Sequence, residues 1–179
     1  MKKIRAAVVG YGNIGQYTLQ TLEVAPDFEV AGIVRRQGAK ERPMELEKYN
    51  VVSDIAELHD VDVAILALPT RECPAYAKKY LAMGINTVDS FDIHTNIVNY
   101  RAELMPVCKE HGRVSVISAG WDPGSDSIVR MLMQSLAPKG LSYTNFGPGM
   151  SMGHSVCVRS KKGVKNALSI DRKSTRLNS

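Results

Sequence analysis

A glycine-rich hexapeptide near the start of the chain has the spacing of a diphosphate-binding turn. Its residues, in the pattern GxGxxG, are Gly10, Tyr11, Gly12, Asn13, Ile14 and Gly15. The first glycine permits a tight turn, the second lets the backbone approach a pyrophosphate, and the third lets the next helix pack closely. Free amides at the start of that helix favour the anion. The six residues are therefore predicted to bind a dinucleotide, with a glycine turn in another α/β fold as the alternative.

Two adjacent arginines predict which dinucleotide is bound. NAD enzymes commonly carry Asp or Glu about 20 residues past the turn, where the acid binds the ribose hydroxyls. This chain has Arg35 and Arg36 after an apolar segment instead. A guanidinium can hold the extra phosphate of NADP through two charge-assisted hydrogen bonds. The sequence therefore predicts NADP(H), with a solvated arginine pair at a strand end as the alternative.

Three later segments follow predicted strands at the edge where open α/β sheets bind their ligands. Leu68, Pro69 and Thr70 are predicted to line the ribose and nicotinamide path, unless they form an ordinary strand-exit turn. Asp92 and Asp122 lie in the loops after the next two strands, so their carboxylates are expected to converge near the nicotinamide. Taken singly, each acid also has a structural explanation, as a cap of a turn or of a helix.

Five segments together resemble the meso-diaminopimelate dehydrogenase family. In chain order they read GYGNIG, VRR, TVDSFDIH, SAGWDPG and NFGPGMSMGHS, and the resemblance covers residues 1–170. The pairing of WDPG with FGPGxSxGHS is specific, whereas GxGxxG is shared by many dinucleotide-binding proteins. Family enzymes are longer than this chain and carry a substrate and dimerisation domain after the cofactor domain.

The resemblance implies a reaction and a set of site residues. The family catalyses the reversible NADP-dependent oxidative deamination of the D-centre of meso-2,6-diaminopimelate. The product, L-2-amino-6-oxopimelate, cyclises to tetrahydrodipicolinate on the route to lysine. Arg35 and Arg36 match contacts to the adenosine phosphate, and Asp92 and Asp122 match acids near the substrate amines. Further substrate contacts are implied for Trp121, Phe146, Met152 and Gly153, although Trp121 taken alone also suits a protein core.

Carboxylates suit this chemistry because they can accept a proton from the substrate amine and stabilise an iminium ion. Asp122 is the first candidate and Asp92 the second, and the sequence does not decide which one is the base. His154 is interpreted as a loop histidine with a structural hydrogen bond, with proton transfer as the alternative. The family also implies a homodimer of the full-length protein.

Alternating strands and helices are predicted to position these residues. Predicted strands cover residues 4–9, 28–34, 51–52, 63–68, 86–88 and 114–117. Predicted helices cover residues 14–24, 74–83, 96–111 and 126–136, with a short capped helix ending at 58 and a loop over 37–50. Strands that are apolar along their length predict a parallel sheet covered on both faces. The fold class is therefore α/β, a Rossmann-type doubly wound parallel sheet.

The pattern changes after Pro138. Residues 1–138 are predicted to form the NADP-binding domain, and 139–170 the beginning of an incomplete α+β substrate and dimerisation domain. That region holds predicted strands at 141–146 and 155–158 around a loop at 147–154. The segment 171–179, DRKSTRLNS, is short of apolar residues and is predicted to be a non-native or disordered tail. A truncated fragment is the expectation, and its activity stays open.

Composition excludes several other classes. Hydrophobic residues make up 44% and charged residues 23%, which is typical of a globular protein, and a net charge of +5 without a basic, aromatic-rich stripe argues against nucleic acid. No apolar run nears the ~20 residues that span a membrane, and no signal peptide is evident. The three cysteines form no CxxC pair and the histidines lack ligand spacing, so a cytoplasmic protein without a metal is predicted.

Two other functions stay open on the sequence alone. One is a different NADP-dependent reductase of similar build, such as a dihydrodipicolinate reductase or a sugar oxidoreductase. Such an enzyme typically needs a catalytic Lys or His pair in its second domain, and the lysines of 161–165 are interpreted as a solvated turn. The other is a module that binds NADP without catalysis.

Overall fold

The computed structural model describes residues 2–38, 40, 42–140, 149–151, 158–159, 161–167 and 169–171. The chain divides into two compact units, Met1–Ile128 and Val129–Ser179. The domain boundary that the sequence places at residue 138 stays a prediction.

A parallel sheet forms the centre of the first unit. Its strands are β1 (Ile4–Val9), β2 (Phe28–Val34), β3 (Val51–Val52), β4 (Val63–Leu66), β5 (Asn86–Asp89) and β6 (Ser115–Val116). They lie in the order β3-β2-β1-β4-β5-β6, and every neighbouring pair is parallel. This arrangement confirms the predicted doubly wound α/β fold, in which the strand order reverses between β1 and β4.

Helices cover both faces of this sheet. They are α1 (Asn13–Val24), α2 (Cys73–Ala82) and α3 (Ile97–His111), and a further helix, α4 (Ser125–Leu136), follows β6 along the chain. Because side chains alternate along a strand, Val8 of β1 packs with Leu19 and Leu22 of α1, whereas Val9 packs on the other face with the cluster that includes Tyr80 and Leu104. None of the helices in the described part of the chain is long and apolar enough to cross a bilayer.

Local sequence signals account for most element ends. Gly112 adopts a left-handed conformation, with φ 60°, and ends α3 as predicted. Asp54 accepts a hydrogen bond from the amide of Ala56 and caps a 3-10 turn at Ile55–Glu57, in place of the predicted short helix. The strand β6 is shorter than the strand predicted at residues 114–117. It lies at the edge of the sheet, where Val116 is 48% exposed.

The second unit contains an antiparallel pair, β7 (Gly149–Ser151) with β8 (Ser169–Asp171). The predicted loop at 147–154 is therefore wrong over the residues of β7. The predicted strand at 141–146 lies outside the described residues, as does the one at 155–158 except for Val158. Of the predicted tail, only Asp171 is described.

Cys73, at the start of α2, tests how tightly the core is packed. Its side chain is fully buried, and burial, with a smaller contribution from Asp89, raises the thiol pKa to about 12. Because the thiolate is the reactive form, we expect iodoacetamide at mildly alkaline pH to spare Cys73 and to modify half-buried Cys108. Timed alkylation with peptide mass spectrometry measures both sites, and a denatured sample serves as the control. Equal modification of the two in the folded chain would contradict this packing.

Candidate functional site

The glycine-rich turn joins β1 to α1 through backbone contacts that leave no room for a side chain at its first and third glycines. Gly10 has φ +95°, and a Cβ placed on it would lie 2.4 Å from the carbonyl oxygen of Ala67. A Cβ on Gly15 would lie 2.1 Å from the carbonyl oxygen of Gly10. The Gly10 amide also donates to the Val34 carbonyl at 2.8 Å. The turn is thus fixed between the exits of β2 and β4.

Gly12 differs from the other two glycines because its surroundings are open. A Cβ on Gly12 would meet nothing within 4 Å, and in the described chain no side chain caps α1 and no acid lies in its first turn. The first amides of a helix lack intrahelical acceptors. Exposed Asn13 and Ile14 flank this space, with half-buried Tyr11 beside it. Open space beside unsatisfied donors fits a dinucleotide diphosphate, whose oxygens would accept from those amides.

Both predicted phosphate-binding arginines follow β2 at the same edge of the sheet. The Arg36 guanidinium donates to a Glu72 carboxylate oxygen at 2.7 Å, with the Arg36 side chain 81% exposed. Arg35 donates to the Gln37 side chain at 3.3 Å. Since β1 lies between β2 and β4, the Arg36–Glu72 pair joins the two strand exits that flank the glycine turn. Sequence reasoning missed Glu72, an acid close to the predicted phosphate site.

The exit of β4 connects the nucleotide side to the first acid loop. Leu68 and Thr70 are half-buried, Pro69 is exposed, and the Cys73 thiol lies 3.9 Å and 3.7 Å from the Leu68 and Pro69 carbonyls. The Thr70 hydroxyl accepts a hydrogen bond from the amide of Asp92 at 3.0 Å. The structure therefore brings Thr70 together with Asp92, as expected for neighbouring strand exits.

The two acid loops lie against each other at the carboxyl edge of the sheet. A Cβ on Gly120 would lie 3.2 Å from that of Ser90, so the loops are in direct contact there. Asp92 is exposed, whereas Asp122 is half-buried and accepts from the Ser127 hydroxyl at 3.5 Å. Trp121 is 56% exposed, so it is not a core residue. This arrangement leaves two carboxylate-bearing loops and an indole at one edge.

A buried carboxylate that sequence reasoning did not single out lies beneath these loops. Asp89, the last residue of β5, is only 2% exposed. Its side chain accepts from the amides of Phe91 and Ser118 and from the hydroxyl of Tyr100. The sequence signal for this carboxylate is an acid at the end of an apolar strand. Its three hydrogen-bond donors come from separate parts of the chain, so the sequence alone does not show that they meet at Asp89.

Several predicted site residues lie outside the described residues: Phe146, Met152, Gly153 and His154. Within the described ranges, no three His, Cys, Asp or Glu side chains are grouped so as to hold a metal ion. A groove of about 680 Å³ lies at the opposite edge of the sheet, lined in part by Ile4, Phe28, Val63 and Asn86 at the starts of strands. It is therefore separate from the candidate site.

Two sequence families match parts of the chain. An oxidoreductase family with an NAD-binding Rossmann fold matches residues 4–89. The C-terminal domain of diaminopimelic acid dehydrogenase matches residues 120–173. The first match covers the glycine turn and both arginines, and the second begins at the loop that carries Asp122.

Individual relatives agree with both matches. A meso-diaminopimelate D-dehydrogenase of Bacteroides fragilis is 67% identical over 170 residues, which are 95% of this chain and 57% of that protein. The Corynebacterium glutamicum DAP dehydrogenase, solved in complex with DAP, is 33% identical with a TM-score of 0.76, over 94% of this chain and 52% of that one. An engineered D-amino acid dehydrogenase bound to NADP+ is 33% identical with a TM-score of 0.74, over 93% and 52%. The chain thus spans about half the length of the curated relatives it matches.

Gly12 and Gly15 give a matched pair of tests for the turn. Gly12→Ala adds a methyl group in open space at φ −94°, so we expect the free energy of unfolding to change by less than ~1 kcal/mol. The same methyl group would obstruct a diphosphate, so dinucleotide affinity should fall at least roughly tenfold. Gly15→Ala should instead lower stability by about 1–3 kcal/mol or more through overpacking.

Denaturant unfolding and calorimetric titration with NADP+ measure the two effects. Unchanged nucleotide affinity in Gly12→Ala would contradict the assignment of this space to the diphosphate.

Proposed function

We propose that the chain belongs to the meso-diaminopimelate D-dehydrogenase family over the residues it spans, and that it binds NADP(H) for the oxidative deamination of the D-centre of meso-2,6-diaminopimelate. The product is L-2-amino-6-oxopimelate, which cyclises to tetrahydrodipicolinate on the lysine route. One observation carries the proposal: the dinucleotide turn and two carboxylate loops lie at the same edge of one parallel sheet. Ligands of open α/β sheets bind at this edge.

NADP(H), rather than NAD(H), is the proposed cofactor because of the charge at the end of β2. Arg35 and Arg36 supply two guanidiniums where NAD-specific proteins place an acid. Either can hold the extra phosphate with paired charge-assisted hydrogen bonds. Arg36 would exchange its Glu72 partner for the phosphate. This exchange costs little, since exposed ion pairs contribute about 0–1 kcal/mol.

The two loop acids are the proposed catalytic residues. NADP+, when bound, would supply the hydride acceptor for the D-centre, and addition of water to the resulting iminium carbon would release ammonia and give the ketone. Asp122 would accept the proton from the substrate ammonium, because a neutral amine releases hydride more readily. Asp92 would stabilise the positive charge that develops on the iminium nitrogen. The roles of the two acids can also be reversed, since both loops reach the same edge.

Further proposed contacts complete the substrate site. The exposed indole of Trp121 offers an apolar wall beside the Asp122 carboxylate. Phe146, Met152 and Gly153 are proposed as the remaining substrate contacts, and Leu68, Pro69 and Thr70 as the ribose and nicotinamide contacts. A cytoplasmic homodimer of the full-length protein is likewise a proposal.

A second candidate function is NADP(H) binding without turnover. The chain spans about half the length of the curated relatives it matches, so turnover by the chain as given is proposed separately from nucleotide binding. Both candidates require the same nucleotide site and differ only in whether the acids act on a bound amine.

Substitutions at the end of β2 test the cofactor. Arg35→Ala and Arg36→Ala should each weaken NADP+ binding by roughly 10- to 100-fold, the range for one charge-assisted contact, and leave NAD+ binding nearly unchanged. Glu72→Gln should strengthen NADP+ binding a few-fold, because it removes the competing carboxylate. Calorimetric titrations with both dinucleotides provide the measurement. Tighter binding of NAD+ than of NADP+ by the unaltered chain would contradict the cofactor assignment.

Stereochemistry tests the reaction. The chain is incubated with NADP+ and the meso, L,L or D,D isomer of diaminopimelate, and NADPH is followed by absorbance. Formation of NADPH with the meso isomer, its loss in Asp122→Asn, and none with L,L is the expected result. NADP+ binding without NADPH formation from any isomer would contradict catalysis by this chain and support the second candidate.

A further inference from the structure

Asp89 is a buried carboxylate whose oxygens are occupied by donors from three segments. One oxygen accepts from the Phe91 amide at 3.0 Å and the Ser118 amide at 3.1 Å, and the other from the Tyr100 hydroxyl at 2.7 Å. A charge buried without partners is costly, so three donors explain how the carboxylate is accommodated. The same bonds tie β5 to the loops after β5 and β6 and to α3.

The two amides belong to the loops that carry the proposed catalytic acids. Phe91 directly precedes Asp92, and Ser118 begins the loop that leads to Asp122. The backbone carbonyl of Asp89 also accepts from the Ala119 amide at 2.8 Å. One residue therefore determines the start of both loops through its side chain and its backbone.

Ser118 shows that the second loop needs an external constraint. Its φ is +58°, a left-handed conformation that is unfavourable for a residue with a Cβ and persists where the surroundings enforce it. Its buried hydroxyl has no hydrogen-bond partner among the described residues, so it does not offset that cost. The hydrogen bonds from the Ser118 and Ala119 amides to Asp89 favour this conformation.

Tyr100 completes the arrangement from α3. Its ring is 1% exposed and lies 4.5 Å from the Phe91 ring. Burial, and then the hydrogen bond to Asp89, raises the pKa of the Tyr100 hydroxyl well above its usual value, so it stays protonated and donates. The Phe91 segment is therefore fixed by an amide bond on one side and a ring contact on the other.

We propose that Asp89 is a positioning residue of the site, whose buried carboxylate sets the relative placement of the Asp92 and Asp122 loops without contacting the substrate. The identity of that substrate rests on the function proposed above, but the positioning itself rests on the geometry alone. The loops' contact at Ser90 and Gly120 would transmit a shift in one to the other.

Three variants separate positioning from general stability. Asp89→Ala removes the acceptor for both amides, and Asp89→Asn retains an acceptor oxygen for them. Tyr100→Phe removes the third donor while leaving both amide bonds in place. If Asp89→Ala fails to fold, Asp89→Asn and Tyr100→Phe still provide the comparison.

Loop-specific readouts measure the effect. Trp121 is the single tryptophan of the chain and lies in the second loop, so its quenching by acrylamide reports that loop directly. Hydrogen–deuterium exchange reports peptides covering 90–94 and 117–124. In Asp89→Ala we expect exchange in both loops to rise roughly 10- to 100-fold, the equivalent of a hydrogen bond to a charged group, with Trp121 more accessible. Exchange around Gly10–Gly15 should stay unchanged.

The conservative variants complete the test. Asp89→Asn should restore most of the loop protection, and Tyr100→Phe should lower the melting temperature with little change at Trp121. Uniformly faster exchange across the sheet, or loops unchanged in Asp89→Ala, would overturn the positioning role.

Titration of Trp121 fluorescence with meso-diaminopimelate keeps the two proposals distinguishable. Loosened loops without a response to the amino acid would count against the proposed function only, and unchanged loops with a saturating response would count against the positioning role only.

Discussion

The close approach of the Gly10 and Ala67 backbones is the constraint on which the candidate site depends. It holds the glycine turn between the exits of β2 and β4, where the strand order reverses. A side chain at Gly10 or Gly15 would separate β1 from β4 or from α1. Gly10 and Gly15 make the close backbone contacts of the turn, whereas the space beside Gly12 is open to a ligand.

The carboxyl edge of the sheet has a nucleotide side and an acid side, which meet near the glycine turn. Arg36 and Glu72 lie on the first, and the loops of Asp92 and Asp122 lie on the second. The bond from Asp92 to Thr70 joins the two sides through neighbouring strand exits. A parallel sheet creates this proximity at no further cost, because the carboxyl ends of all its strands meet at one edge.

The sequence predicts the strands and the turn better than the contacts between loops. β1 and β2 begin and end where expected, since apolar runs bounded by glycine or Pro-Asp leave little choice. Asp89 and Ser118 are 29 residues apart, and Arg36 and Glu72 are 36 apart, so neither pairing has a local signal. β7 was missed for the same reason, because its partner strand lies further along the chain.

Amide chemical shifts of the isotope-labelled chain during titration with NADP+ show whether the glycine turn and the end of β2 bind the dinucleotide. We expect saturating changes at Gly12, Asn13 and the residues around Arg35, with the far ends of the strands unaffected. Saturating changes confined to the groove at the opposite edge, or none at Gly12 and Asn13, would contradict dinucleotide binding at this turn.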